Sequence, residues 1–156
     1  MHCTGIYKSP LGTILITQEE DAIVSLVFSE ASDNGGFTTT PLLQRCYAWL
    51  DDYFAGKQPD PASIPISLSG SAFQQQVWRI LQQIPYGQSI TYGQIAKQID
   101  PKMSARAVGG AVGSNPVSII VPCHRVLGAD GRLTGYEFGL NIKRALLDLD
   151  GIPYKK

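Results

Sequence analysis

Three prolines fall within nine residues at 57–65, KQPDPASIP, and neither a regular helix nor a central strand can run through such a stretch. The chain therefore has to be built as two parts, and its hydrophobic period differs on either side of the break. Before it, GIYKSPLGTILIT predicts two short strands around a Ser-Pro-Leu-Gly turn, and AIVSLVF over 22–28 predicts a third, largely buried strand. The polar run SEASDNGGFTTT predicts a loop. From Pro41 apolar residues recur on one helical face, including Leu42, Leu43, Cys46, Trp49, Leu50 and Tyr53, with Thr40 placed to cap the helix and Gly56 to end it.

After the break the texture is of short helices. Phe73, Val77, Ile80, Leu81 and Ile84 form a stripe ended by Pro85 and Gly87. Thr91 and Gln94 have capping-box spacing ahead of Ile95, Ala96 and Ile99, and Asp100-Pro101 stops that helix. Ser104 then caps ARAVGGAVG, so two short helices separated by a few residues have the shape of a helix-turn-helix. Asn115-Pro116 ends the second of them, and VSIIV predicts a short buried strand. The fold expected is α+β: an N-terminal α/β subdomain of three strands and a helix over 1–68, then a mostly helical domain over 69–156.

At 156 residues and 44% apolar content the chain can bury a proper core. No stretch of eighteen apolar residues exists and the N-terminus lacks a signal-peptide layout, so a membrane or secreted protein is not expected and the cytoplasm is. Three widely spaced cysteines, Cys3, Cys46 and Cys123, predict free thiols. His2, Cys3 and Cys46 make no credible zinc set, so no metal is expected. Net charge is zero but segregated: residues 1–69 hold three Lys/Arg against eight Asp/Glu, and 70–156 hold ten against five. A basic half attached to an acidic one points to a polyanion met by the C-terminal part, with ordinary surface variation as the alternative.

Two stretches carry chemistry. ARAVGGAVG has nearly all small side chains, poor for packing and, at its glycines, poor for helix; it suits close backbone approach to another helix or to a nucleic-acid groove, and Arg106 is its one long cation. VPCHRV, at 121–126, sets Cys123 beside His124 and Arg125 after a rigid proline. A nucleophilic thiol wants a base or a positive field nearby. Neighbours on an extended segment face opposite ways, so a bend or a bridging water is needed for His124 to serve Cys123.

PCHRV, with ITYGQIA and ARAVGGAVGSNPVSIIV upstream and LTGYEFGLNIKRALLDLDG downstream, resembles the O6-alkylguanine-DNA alkyltransferases, the methylated-DNA:protein-cysteine methyltransferases, from Phe73 through Gly151. The resemblance implies a winged-helix-like helix-turn-helix domain and a single-use reaction without cofactor, in which Cys123 takes the alkyl group from O6 of guanine. By the same match His124 acts as base through water, Asn115 holds the turn carrying the cysteine, and Tyr92 bonds the flipped base at N3 while Arg106 fills the vacated stack. Ser104, Ala105, Gly109, Gly110 and Arg125 meet DNA, contacted in the minor groove. Main-chain groups of Cys123, Val126 and Glu137 line the base pocket, with Tyr136 and Gly139 shaping its wall. The family's histidine-orienting Glu corresponds to Asp150, one methylene shorter, and Glu137 stands where small residues are common. The implied partner is double-stranded DNA containing O6-alkylguanine, met by a monomer that clusters on DNA, with no membrane.

A cysteine hydrolase needs a placed histidine, and His124 and His2 are all the chain offers. A thiol redox sensor leaves the thin helix unexplained. The strongest rival is a non-catalytic helix-turn-helix module that binds alkyl lesions, against which Cys123 itself argues.

Overall fold

A computed structural model describes residues 2–30 and 37–155. Two compact units emerge, Met1–Ser69 with Pro116–Ser118, and Gly70–Asn115 with Ile119–Lys156. In the first, strands β1 (His2–Ser9), β2 (Gly12–Glu19) and β3 (Ala22–Phe28) form an antiparallel sheet in that order, with Ile6 opposite Leu15 and Ile16 opposite Leu26. The alternation of β2 sends Ile14 and Ile16 into the core. Helix α1 (Pro41–Phe54) starts as expected, with Thr40 Oγ1 accepting from the Leu43 N–H at 3.0 Å and Pro41 in the first turn. It lays Leu43, Cys46 and Leu50 against the sheet side, all fully buried. The loop expected over 29–40 lies partly outside the described residues; Phe37–Thr40 is irregular backbone.

The outer edge of β3 is not left open, which removes a template for aggregation. Ile66 bridges Ile23, and Val117 bridges Leu26, both in parallel sense. Leu26 N–H donates to the Pro116 carbonyl and Ser118 N–H to the Leu26 carbonyl, each at 2.9 Å. The stretch VSIIV is buried as expected but is not one strand. Ile119 adopts φ 71°, a left-handed value that is costly for a β-branched residue, so the backbone breaks after Ser118.

In the second unit α2 (Ala72–Gln82) and α3 (Tyr92–Ile99) both begin with full capping boxes, Ser71 with Gln74 and Thr91 with Gln94. A two-residue strand β4 (Ile90–Thr91) precedes α3 and pairs in parallel with β5 (Val126–Leu127). Helix α4 (Ala105–Gly113) follows α3 after a short turn, with Ser104 Oγ accepting from Ala107 N–H at 3.1 Å. Trp78 of α2 is buried against α4 and donates its indole N–H to the Ala111 carbonyl at 2.9 Å. Helix α5 (Leu140–Asp150) ends in a Schellman turn: left-handed Gly151 donates to the Asp148 carbonyl and Ile152 to the Leu147 carbonyl, while Ile152 packs on Leu147 and Leu127. That turn fixes Asp150 at the very end of the helix.

Candidate active site

Pro122, at φ −81° and ψ 67°, forms an inverse γ-turn in which Cys123 N–H donates to the Val121 carbonyl at 2.8 Å. The same carbonyl accepts from Asn115 Nδ2 at 2.8 Å, so the buried Asn115 amide clamps the turn immediately before the cysteine. Cys123, His124 and Arg125 then make one 3₁₀ turn. With three residues per turn, their side chains leave in three directions, which is the bend that an extended segment lacks.

Cys123 points to a cavity of about 180 Å³ lined also by Tyr92, Gly109, Val112, Tyr136 and Glu137. Cys123 is 5% exposed, and its thiol lies 3.8 Å from Tyr136 Oη. A wider groove past Ala105, Arg106 and Gly128 adjoins the cavity and shares Tyr92, Gly109 and Gly135 with it. Burial pushes the Tyr92 phenol up, which keeps it a proton donor near neutrality.

His124 is fully buried and its Nε2 lies 2.7 Å from Asp150 Oδ2. The shorter acid thus reaches the imidazole. Arg125 Nε donates to the same Oδ2 at 2.7 Å, its Nη1 donates to the Ile84 carbonyl at 2.7 Å, and its guanidinium covers the Tyr86 ring at 4.5 Å. Burial, the largest influence, pulls His124 below the usual imidazole range; Asp150 opposes that, and Arg125 and Lys143 add to it. Burial alone would raise Asp150, but the hydrogen bond from His124 and the Arg125 guanidinium hold it low. An ionised carboxylate facing Nε2 fixes the proton there, so the lone pair of a neutral imidazole is on Nδ1. Nδ1 is buried and has no hydrogen-bond partner among the described residues.

The structure brings Cys123, His124, Asn115 and Asp150 together, with Tyr92, Tyr136 and Glu137 at the cavity; burial raises the Glu137 carboxyl. Ser104, Ala105, Arg106 and Gly110 are exposed along α4, and Gly109 is half-buried beside Tyr92. Arg125, expected to face DNA, turns inward and is 2% exposed. Val126, expected at the base pocket, is fully buried with its N–H taken by the Cys123 carbonyl, and Gly139, at φ 100°, caps α5; neither lines the cavity. The sequence reading missed Lys143, which is fully buried beneath the site. It donates to the Gly135 carbonyl at 3.4 Å and sits over the Tyr92 and Tyr136 rings, at 5.8 and 6.0 Å.

A buried acid, a neutral histidine and a cysteine at a cavity suit proton removal from a thiol that then attacks a small electrophile. Comparison with known proteins agrees with such chemistry. Residues 72–152 match the family described as 6-O-methylguanine DNA methyltransferase, DNA binding domain, and residues 3–68 match its ribonuclease-like domain. A methylated-DNA–protein-cysteine methyltransferase of Haemophilus influenzae is 42% identical over 95% of this chain and 86% of its own length. The O6-methylguanine methyltransferase of Mycobacterium tuberculosis superposes with a TM-score of 0.82 at 41% identity, covering 97% of this chain and 93% of that one. The structure titled as that organism's OGT in complex with DNA gives 0.81 at 42% identity, covering 96% and 92%.

Proposed function

This chain belongs to the 6-O-methylguanine DNA methyltransferase family, and from that premise we propose that it repairs double-stranded DNA by moving the alkyl group of O6-alkylguanine onto Cys123, once per molecule. The cavity that holds the thiol, backed by the buried His124–Asp150 pair, is the observation that carries this assignment. The domains divide at 68/69, the second bearing DNA and chemistry. The protein acts in the cytoplasm as a monomer that clusters on DNA, and no helix among the described residues is long and apolar enough to cross a membrane.

O6 cannot be reached inside a stacked duplex, so the guanine has to swing out, a cost of a few kcal/mol. Small side chains along α4 let its backbone approach the groove, and Arg106, exposed at the groove mouth, occupies the space the base leaves. The cavity is well below the roughly 300–1,000 Å³ of typical ligand pockets, a fit for one base rather than a nucleotide. The Cys123 proton passes through water to His124 Nδ1. The sulfur lone pair forms the S–C bond as the C–O6 bond breaks, and its electrons go into the guanine ring. Tyr92 gives that ring a proton at N3, and both side chains exchange with solvent afterwards. Asn115 keeps the sulfur aimed, and Lys143 sets positive charge near the developing thiolate.

Incubation with an oligonucleotide carrying O6-methylguanine, followed by peptide mass mapping, should show one methyl group on the Cys123 peptide and none on those of Cys3 or Cys46. An unmodified Cys123 overturns the assignment.

A further inference from the structure

Asp150 is a buried carboxylate in the last turn of α5, where the helix carbonyls already make the potential negative. A neutral histidine cannot compensate such a charge. Arg125 can: its Nε lies 2.7 Å from Oδ2, the same oxygen that accepts from His124. The guanidinium is held on two further sides, by the carbonyl of buried Ile84 and by the face of the half-buried Tyr86 ring, which together with Asp150 fix its position.

We propose that Arg125 is a positioning residue for the Cys123 reaction: by sharing one oxygen of Asp150 with His124, it keeps the acid ionised and the histidine neutral, ready to take the thiol proton. This rests on Cys123 being the alkyl acceptor. A carboxylate bonded to imidazole alone favours imidazolium, which cannot act as a base. A carboxylate already neutralised by a guanidinium still orients Nε2–H but draws a proton onto the ring more weakly. The charged groups acting on His124 fit that division: Asp150 and Lys143 from α5 and Arg125 from its own turn, with the Tyr86 ring behind Arg125. Positive charge thus stands at both ends of the relay, at Arg125 against Asp150 and at Lys143 toward Cys123. His124 moves the proton between them.

The test is the single-turnover rate of methyl transfer from an O6-methylguanine duplex against pH, for the wild type, Arg125→Gln and Arg125→Lys, with DNA affinity measured alongside. Removing the charge in Arg125→Gln should move the acid limb up by about one pH unit, so transfer falls by up to about tenfold at pH values on the acid side of the wild-type limb and far less near pH 8. Arg125→Lys should return the limb toward its wild-type place, and DNA affinity should hold in both. A loss equal at every pH overturns the proposal, as does a loss confined to DNA binding. A wild type that transfers nothing is a separate result and sinks the repair function itself. Where Arg125→Gln does not fold, Tyr86→Leu loosens the guanidinium without removing it. With two histidines in the chain, ¹⁵N imidazole shifts then report His124 directly. The wild type should show the neutral Nε2–H form near pH 7, and Tyr86→Leu should protonate at higher pH; an imidazolium in the wild type, or no change in the variant, overturns the proposal.

Discussion

Lys143 brings an ammonium into a fully buried position, and burial pulls it from 10.5 to about 8, with Cys123 opposing part of the fall. Between those values the unfolded chain binds a proton that the folded chain lacks, so this group's contribution to stability rises as pH climbs from 8 to 10.5. At pH 7 the folded protein bears the full cost. Lys143→Met should therefore be more stable at pH 7, by about 3 kcal/mol at most, with the gain shrinking toward pH 10.5, while methyl transfer slows at least several-fold. Denaturant midpoints at the two pH values and a single-turnover assay check both halves; a variant less stable at pH 7 refutes the argument. The signal for Lys143 was present in the sequence: Lys143, Leu146, Leu147 and Asp150 have i, i+3, i+4, i+7 spacing, and all four are buried. Arg125 is different, because adjacency gives a charge but no direction. It took the 3₁₀ turn to show that Arg125 points inward to Ile84 and Asp150 while Cys123 points to the cavity.

At the scale of elements, the helices were legible where local rules decide them. Thr40, Thr91 and Ser104, read as caps, each accept a hydrogen bond from the backbone N–H three residues on, satisfying donors that nothing else in the helix can; Ser71 does the same for α2, where only the apolar stripe was read. VSIIV was not legible as turn, because burial dictates apolar residues in strand and turn alike and the left-handed Ile119 is imposed from outside. The thin helix α4 left two explanations open in sequence, an internal close crossing or an external groove. A Cβ built on Gly110 or Gly113 meets nothing within 4 Å, and one on Gly109 only touches the Tyr92 ring at 3.9 Å. Packing inside the chain does not require these glycines. Gly110→Ala should accordingly stabilise the fold by about 0.5–1 kcal/mol, since alanine is the better helix former, yet weaken duplex DNA binding several-fold. Thermal melts and a binding titration decide it; unchanged DNA affinity would remove the reason for the helix being thin.

Over the whole molecule, the charge split sets how strongly salt should matter. Of the ten cations in 70–156, Arg125 and Lys143 are internal, and Arg125 is matched by Asp150. The positive excess of that half survives these subtractions, carried by exposed side chains such as Arg79, Lys97, Lys102, Arg106 and Arg132. Each phosphate neutralised releases counterions, so affinity for DNA should fall linearly with salt on logarithmic axes, with a slope of about −0.9 per contact. Arg106 separates two modes of action. As a simple phosphate contact, its loss would reduce that slope by about 1 and leave the chemistry alone. As the side chain that fills the stack behind a flipped base, it acts on extrusion: Arg106→Ala should slow transfer from duplex O6-methylguanine by an order of magnitude or more, because the unstacking cost of a few kcal/mol is then unsupported. Transfer from the free base, which needs no extrusion, should keep its wild-type rate. Rates on the two substrates, measured at one salt concentration, make the comparison, and equal losses on both would assign Arg106 to the pocket rather than to the flip.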